Sequence, residues 1–256
     1  MFPYKDENPT VRQPVVTWSL VAVTSAAWLV AQGMGGEPQL TQSVCELGVI
    51  PAKLFGQPLE PIMTPRGPVL PCSGDSGPSG VVTLVTSVFM HGGWFHLISN
   101  MWFLWVFGDN VEDAMGRLRF IVFYLLTGVL AALAQVVMDV SSPIPLVGAS
   151  GAISGVMGAY LVLYPRVKID TIVFLGFFIT RWTVPAYMML LYWAFIQVVG
   201  SLPSLSGAGS GGGVAFLAHL GGFVAGALLI KPFARPEYLA AHRRYLSQLA
   251  LRSWRM

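Results

Sequence analysis

The sequence contains few charged residues. Only 11% of its 256 residues are Asp, Glu, Lys or Arg, whereas 54% are hydrophobic. A soluble domain carries about 25% charged residues, so most side chains here face something other than water. The net charge of +3 is small, and the basic residues lie at segment ends without forming a stripe, which argues against nucleic acid as a partner. The composition predicts a polytopic membrane protein.

Several other features are also absent. The glycines and prolines are scattered, which excludes a collagen-like or disordered chain, and no internal repeat is visible. No small-residue cleavage site follows the first apolar stretch, Val15 to Gly33. We therefore expect a transmembrane helix there rather than a cleavable signal peptide.

Long apolar stretches dominate what is present. A span of about 20 apolar residues crosses a bilayer, and the sequence predicts six of them. They are residues 15–33, 92–110, 119–138, 149–165, 183–200 and 213–231. The stretch 169–182 is apolar but short, and we expect it to be interfacial or re-entrant.

The predicted fold class is therefore all-α, a six-helix membrane bundle over residues 15–231. A short cytoplasmic N-terminus, 1–14, precedes the bundle, and a basic cytoplasmic tail, 232–256, follows it. A long loop, 34–91, joins the first two spans.

The basic residues orient the predicted spans. Thirteen of the 15 Lys and Arg residues fall on one side, and only Lys53 and Arg66 fall on the other. Because basic residues concentrate in cytoplasmic loops, both termini are predicted to be cytoplasmic, and the basic tail is expected to contact anionic membrane lipid. We expect a bacterial inner membrane.

Both cysteines, Cys45 and Cys72, fall in the loop 34–91 on the non-cytoplasmic side. That side permits disulfides, and closing a loop of this length would contribute roughly 3 kcal/mol in the chain-entropy model. A Cys45–Cys72 bridge and two free loop thiols both remain open at this stage.

Four polar residues share one predicted depth in the membrane. With this orientation the second, fourth and sixth spans all run from the outside inwards, and the polar residues lie near their outer ends. His219 lies six residues into its span, about 9 Å below the start. The four residues are His96, Asn100, Ser150 and His219.

Each of these residues has a plausible chemical role. Ser150 opens a helix, where free backbone N–H groups and the helix dipole favour a developing oxyanion. His219 could accept the serine proton and return it to a leaving amine. His96 and Asn100 are four residues apart, so both can donate hydrogen bonds from one helix face to the same oxyanion.

Small residues on two of the spans predict a close helix contact. Gly151, Gly155 and Gly158 form a stripe on the fourth span, and Gly222 and Gly226 lie on the same face of the sixth span as His219. Small faces let two helix backbones approach closely in lipid, as a hydrogen bond between Ser150 and His219 requires.

These residues also have simpler interpretations. A membrane-helix serine is commonly a packing residue, and Asn100 could be an interhelical polar clasp. A metal site is not expected, because His91 and His96 are five residues apart and there is no HExxH motif. No acidic residue falls in the fourth or sixth span, which favours a Ser–His dyad over a triad. No cofactor is expected.

In its motifs the sequence resembles a known family, the rhomboid intramembrane serine proteases. The run from His91 to His96, HGGWFH, followed by Asn100, is similar to the second helix of the family. The family's GxSG motif matches residues 148–151, and its AHxxGxxxG motif matches residues 218–226. Gly108, Glu112 and Gly116 are similar to the turn after the second helix.

The resemblance implies a fold and an activity. It implies a six-helix bundle with a cavity that opens to the outer face, with Ser150 as nucleophile and His219 as base. The Ser150 amide and the side chains of His96 and Asn100 would form the oxyanion hole. The loop 201–212 would cover the site, and single-span membrane proteins would enter laterally as substrates.

Two positions depart from the family pattern. Some rhomboids have a Trp-Arg pair where this chain has Val82-Thr83, and some stack a tyrosine on the histidine at the position of Ser154. The residue that orients His219 is therefore left open. A rhomboid-like pseudoprotease that binds membrane clients is the alternative function, and a transporter ranks last because no inverted repeat is visible.

Overall fold

The computed structural model describes residues 1–64, 67–72, 77–78, 80–176, 178–205 and 215–253. Within these ranges the chain is mostly helical, and each predicted span contains one long helix. The helices are α1 (Val15–Val30), α2 (Gln39–Leu47), α3 (Pro51–Leu54), α4 (Gly80–Thr86), α5 (Trp94–Met115), α6 (Arg117–Val136), α7 (Ser150–Leu163), α8 (Ala186–Leu205), α9 (Phe216–Phe233) and α10 (Pro236–Ser253). The strands are β1 (Phe2–Asp6), β2 (Ile62–Thr64), β3 (Gly67–Val69), β4 (Lys168–Leu175) and β5 (Phe178–Pro185).

The helices have the length and apolar character of a membrane protein. Among the described residues, α6 and α9 are each long and apolar enough to cross a bilayer. The segment Gly80–Phe89 and α5, with an 80° bend between them, together pass as a third span. Helices α1, α7 and α8 are also apolar but have shorter apolar segments.

Helix α7 is the centre of the bundle. Every residue from Gly151 to Tyr160 is buried, because α5, α6, α8 and α9 all pack around it. The largest buried side chains at this centre are aromatic, and Phe107 of α5 packs edge-to-face on Tyr160 with ring centroids 5.1 Å apart. Because α7 begins at Ser150, the packing of the other helices around α7 also fixes the position of that serine.

The prediction of an all-α fold is wrong for the region between α7 and α8. Residues 168–185 form the antiparallel hairpin β4–β5, with a turn at Gly176, whose φ is 62°. β1 pairs antiparallel with β4, giving a three-stranded sheet in the order β1-β4-β5. The hairpin is rich in Ile, Val, Thr and Phe, which favour strands. Its apolar character by itself did not distinguish a hairpin from a short membrane-associated helix.

The predicted N-terminus, 1–14, is docked on the bundle through β1. Trp102 Nε1 donates a hydrogen bond to the carbonyl oxygen of Pro3 at 2.7 Å. At the other end of the strand, Asp6 Oδ2 accepts hydrogen bonds from Asn110 Nδ2 at 2.8 Å and from the Tyr160 hydroxyl at 2.6 Å. Burial raises the pKa of Asp6 to about 6, although the Tyr160 hydrogen bond opposes the shift. β1 therefore lies along α5 between Trp102 and Asn110.

Two carboxylates of α5 hold the start of α1. Glu112 accepts hydrogen bonds from the backbone N–H groups of Val16 and Thr17 at 3.0 and 2.8 Å. These N–H groups belong to the first turn of α1 and have no partner within the helix. Asp113 forms a salt bridge with Arg12 at 3.0 Å. The two carboxylates thus fix the first helix against the second predicted span.

The region 34–91, predicted as a loop, is partly regular. It contains α2, α3, α4 and the small hairpin β2–β3, whose short lengths and proline and glycine content gave no periodic signal. A disulfide joins Cys45 in α2 to Cys72, 27 residues later. The tail 232–256 begins within the last turn of α9 and continues into α10. Tyr238 of α10 packs under the Arg12 guanidinium at 3.6 Å.

Candidate active site

The structure brings Ser150 and His219 into direct contact. His219 Nε2 lies 2.8 Å from Ser150 Oγ. Ser150 is the first residue of α7, and His219 lies in the first turn of α9. The sequence placed His219 six residues into its span, whereas α9 begins at Phe216, so the histidine is closer to the helix end than expected. A hydroxyl and an imidazole at this distance form the pair that nucleophilic catalysis requires.

Glycines on α7 and α9 make this contact sterically possible. A Cβ on Gly222 would overlap the carbonyl oxygen of Gly151, and a Cβ on Gly226 would overlap that of Gly155. A Cβ on Gly158 would likewise overlap the carbonyl oxygen of Phe223. The two backbones therefore touch at three successive levels along the interface, as small-residue faces allow in lipid.

The second nitrogen of His219 contacts a residue that the sequence analysis missed. His219 Nδ1 lies 2.8 Å from Gln197 Oε1 on α8. Gln197 is the one strongly polar residue in the apolar run 186–200, and a polar side chain in a membrane helix is a marker of function. An amide is neither the carboxylate of a triad nor a stacked tyrosine, so a pattern based on those two residue types does not indicate Gln197.

An aromatic ring also packs beside His219. The Trp193 ring lies 6.0 Å from the His219 ring, tilted by 36°, and it contacts Phe223 as well. Ser154, at the position where a stacked ring was considered, instead donates its hydroxyl to the carbonyl oxygen of Ser150 at 2.6 Å. The neighbouring ring therefore comes from α8 and not from α7.

His96 lies on the other side of Ser150. The Gly92 backbone N–H donates to His96 Nδ1 at 3.3 Å, so Nδ1 acts as an acceptor and Nε2 carries the proton in the neutral ring. A Cβ placed on Gly148 would lie 2.7 Å from His96 Nε2 and 3.6 Å from Ser150 Oγ. His96 Nε2 and Ser150 Oγ therefore both lie close to Gly148. The φ of Gly148, 128°, also favours glycine at this position.

Asn100 is buried one turn further along α5. Its Nδ2 donates a hydrogen bond to the carbonyl oxygen of His96 at 2.8 Å. An amide group has two N–H donors, and this contact occupies one of them. Asn100 thus supports the helix turn that carries His96, whether or not its second donor reaches a bound oxyanion.

The start of α5 is held by a reciprocal pair of hydrogen bonds. Gln32 Oε1 accepts from the His91 backbone N–H at 2.8 Å, and Gln32 Nε2 donates to the His91 carbonyl oxygen at 2.7 Å. The His91 ring packs edge-on against the His96 ring, with centroids 4.9 Å apart. These contacts hold His91 in place, and its ring packs against the His96 ring.

An apolar cleft of about 260 Å³ lies between α5, α8 and the N-terminal residues Met1 and Pro3. Phe103 lines it from α5, and Tyr192 and Trp193 line it from α8. Because Trp193 also touches the His219 ring, the cleft and the serine–histidine pair share a wall. Of the segment 201–212 that was expected to cover the site, residues 201–205 continue α8 and residues 206–212 lie outside the described residues.

His, Cys, Asp and Glu are the side chains that commonly bind a metal ion. Within the described ranges, no group of three or more of them could hold a metal ion. The rings of His91 and His96 pack edge-to-face against each other. The two ring nitrogens of His219 lie within hydrogen-bond distance of Gln197 and Ser150. The chemistry available at this site is therefore that of a hydroxyl, imidazoles and amides.

Comparison with known proteins gives consistent matches. The family model of the Rhomboid domain matches residues 78–236. RHOMBOID-like protein 5 of Arabidopsis thaliana is 29% identical over 170 residues, which cover 64% of this chain and 48% of that protein. Rhomboid protease GluP of Bacillus subtilis is 42% identical over 78 residues, which cover 30% of this chain and 15% of that protein. RHOMBOID-like protein 1 of Arabidopsis thaliana is 32% identical over 162 residues, 60% of this chain and 35% of that protein. The chain thus spans less than half the length of each of these relatives.

Proposed function

This chain belongs to the rhomboid family, and we propose that it is an intramembrane serine endopeptidase that cleaves transmembrane helices near their outer ends. The observation that carries the proposal is the 2.8 Å contact between Ser150 Oγ and His219 Nε2 at the ends of two apolar helices. Hydrocarbon offers an unpaired imidazole no partner, and a serine–histidine pair beside an apolar cleft suits acyl transfer.

The reaction proceeds in two halves. Ser150 Oγ attacks the carbonyl carbon of the scissile peptide bond while His219 Nε2 takes the hydroxyl proton. The tetrahedral intermediate collapses, the C–N bond breaks, and His219 returns the proton to the leaving amine. Water then attacks the acyl ester with His219 again as base, which releases the new carboxyl terminus and restores the serine.

Three donors are proposed for the oxyanion. The Ser150 backbone N–H is free because it opens α7, and the helix dipole favours negative charge there. His96 contributes its Nε2–H from the side of Gly148. Asn100 contributes the N–H that is not donated to the His96 carbonyl oxygen. Such donors act most strongly where water is excluded.

The membrane arrangement is part of the same proposal. The helices α1, α5, α6, α7, α8 and α9 are the six spans of the bundle, with both termini in the cytoplasm. Support comes from the distribution of basic residues, because only Lys53 and Arg66 of the 15 fall on the outer side. The location in a bacterial inner membrane stays a prediction, since relatives are named as chloroplastic and mitochondrial proteins too.

The proposed substrates are membrane proteins with a single transmembrane helix. Lateral entry between α5 and α8 is part of the proposal. The cleft there, lined by Phe103 and Tyr192, is bounded on one side by Met1 and Pro3 of the N-terminus, and Trp193 connects it to His219. A peptide bond within a helix is shielded by its own turns, so the substrate must unwind locally before Ser150 reaches it. Gly and Pro disfavour a helix by roughly 1 and 3 kcal/mol relative to Ala, so substrates are expected to contain them below the cleavage site.

Labelling with a fluorophosphonate probe tests the proposal. The purified protein in detergent should be labelled covalently, and Ser150→Ala and His219→Ala should abolish both labelling and cleavage of a single-span substrate. Ser201→Ala is the matched control, because Ser201 is a buried serine of α8 whose hydroxyl donates to the Val198 carbonyl oxygen at 2.7 Å. An unlabelled wild-type protein that still binds the substrate would favour the pseudoprotease alternative.

A further inference from the structure

Gln197 is held at both ends of its amide group. Its Oε1 lies 2.8 Å from His219 Nδ1, and its Nε2 donates to the Trp193 carbonyl oxygen at 3.3 Å. The side chain is 7% exposed. A buried amide with both ends bonded has one orientation, which its neighbours determine.

The partner on α8 decides which way the amide faces. The Trp193 carbonyl oxygen can only accept a hydrogen bond, so the NH₂ end of Gln197 must face it. The carbonyl end of Gln197 consequently faces His219. An amide oxygen can only accept, so the proton of the neutral imidazole must sit on Nδ1.

The tautomer of His219 determines what Ser150 can do. With the proton on Nδ1, the Nε2 lone pair points at Ser150 Oγ, 2.8 Å away, and accepts the hydroxyl proton. In the opposite tautomer, Nδ1 and Gln197 Oε1 would be two acceptors in contact, and Nε2–H would donate to the serine. A histidine in that state cannot act as the general base.

We propose that Gln197 is the positioning residue of this active site, which holds His219 in the tautomer and orientation that activate Ser150. The proposal rests on the function proposed above. An amide performs this task without placing a charge in the bundle, where an unpaired carboxylate would be costly. Gln197 thus takes the orienting position that the absence of acidic residues in the fourth and sixth spans had left open.

The first test compares variants of Gln197 by their rate of fluorophosphonate labelling. Gln197→Met keeps the length of the side chain and removes the acceptor, and the rate should fall about 10- to 100-fold, as expected for a buried group left unpaired. Gln197→Glu retains an oxygen at the same reach and should recover at least part of the rate. With a peptide substrate, kcat should fall in Gln197→Met while KM stays within about two-fold, since the change acts on the chemical step.

The second test reads the tautomer directly. In protein with ¹⁵N-labelled histidine, the His219 ring signals, assigned by their loss in His219→Ala, should report a proton on Nδ1 in the wild type and a mixture of tautomers in Gln197→Met. Ser201→Ala, one turn along α8, should leave both the labelling rate and the spectrum unchanged.

The possible outcomes separate the two proposals. A Gln197→Met protein that keeps the wild-type labelling rate, or a wild-type spectrum with the proton on Nε2, would overturn the role of Gln197. Loss of labelling in Gln197→Glu equal to that in Gln197→Met, with the fold intact, would also overturn it. A wild-type protein that is never labelled would contradict the proposed protease function, while the spectrum would still decide the role of Gln197.

Discussion

Replacing Gly222 by Ala should separate Ser150 from His219 without removing either residue. A Cβ at this position would overlap the carbonyl oxygen of Gly151, a backbone atom that cannot rotate away. An ordinary contact between carbon and a carbonyl oxygen is about 3.3–3.6 Å, so α7 and α9 must move apart by roughly 1 Å. Gly151 follows Ser150 directly, and Gly222 lies one turn from His219, so the displacement occurs at the site itself.

The size of the effect follows from this displacement. A misplacement of about 1 Å can cost about 10²-fold in rate, and overpacking a tight interface costs typically 1–3 kcal/mol of stability. We therefore expect Gly222→Ala to label with fluorophosphonate roughly 100-fold more slowly and to unfold at a lower temperature. Both quantities can be measured on the same detergent-solubilised sample.

Two further glycine variants separate geometry from stability. Gly158→Ala makes the same kind of clash, with the Phe223 carbonyl oxygen, but Gly158 lies eight residues from Ser150, about 12 Å along α7. It should lower stability as much as Gly222→Ala does while lowering the labelling rate less. Gly93→Ala meets nothing within 4 Å and should behave as wild type. Equal rates in Gly222→Ala and wild type would refute the reasoning.

Three other outcomes are expected. His96→Ala should lower kcat by about 10- to 1,000-fold, the upper end being typical of a lost oxyanion donor; unchanged kinetics would make His96 a packing residue. Cys45→Ser should lower the free energy of unfolding by about 3 kcal/mol, because the disulfide closes a loop of 27 residues; a denaturant midpoint unchanged under non-reducing conditions would contradict this. Asp6 has its pKa raised from 3.8 to about 6, so the folded state binds its proton more tightly than the unfolded state does, and this stabilisation is present at low pH and lost as the pH rises from about 4 through 6. The difference in thermal midpoint between wild type and Asp6→Asn should accordingly decrease as the pH is raised from 4.5 to 7.5. Parallel pH profiles of the two proteins would rule out this role of Asp6.

The parts of the site that could be predicted were those that the order of residues along the chain indicates without knowledge of the fold. Ser150 and His219 stand out because polar residues are rare in apolar stretches, and Gly222 and Gly226 mark a helix contact by their spacing alone. Helix orientation then placed the serine and the histidine at one depth. Gln197 has the same kind of signal, yet its role depends on the rotation of α8 about its axis, which hydropathy does not determine.

The sheet was missed for a different reason. Hydropathy gives similar values for a short apolar helix and an apolar hairpin, and only the β-branched composition of 168–185 distinguishes them. β1 is five residues long, and its structure depends on pairing with β4, more than 160 residues later in the chain. A strand whose partner is so distant has no local signal of its own.

Hydrogen bonding distinguishes the polar residues around Ser150 from those around Glu112 and Asp113. All four carboxylate oxygens of Glu112 and Asp113 accept hydrogen bonds from the first turn of α1 or from the residues just before it, including Arg12. Every oxygen of the two groups thus already has a hydrogen-bond partner, and these bonds hold the chain at the start of α1. Ser150 is only half-buried, and within the described residues its hydroxyl has His219 as its sole hydrogen-bond partner. The lone pairs of Ser150 Oγ therefore remain available for attack, which is the property that an anchoring residue lacks and a nucleophile requires.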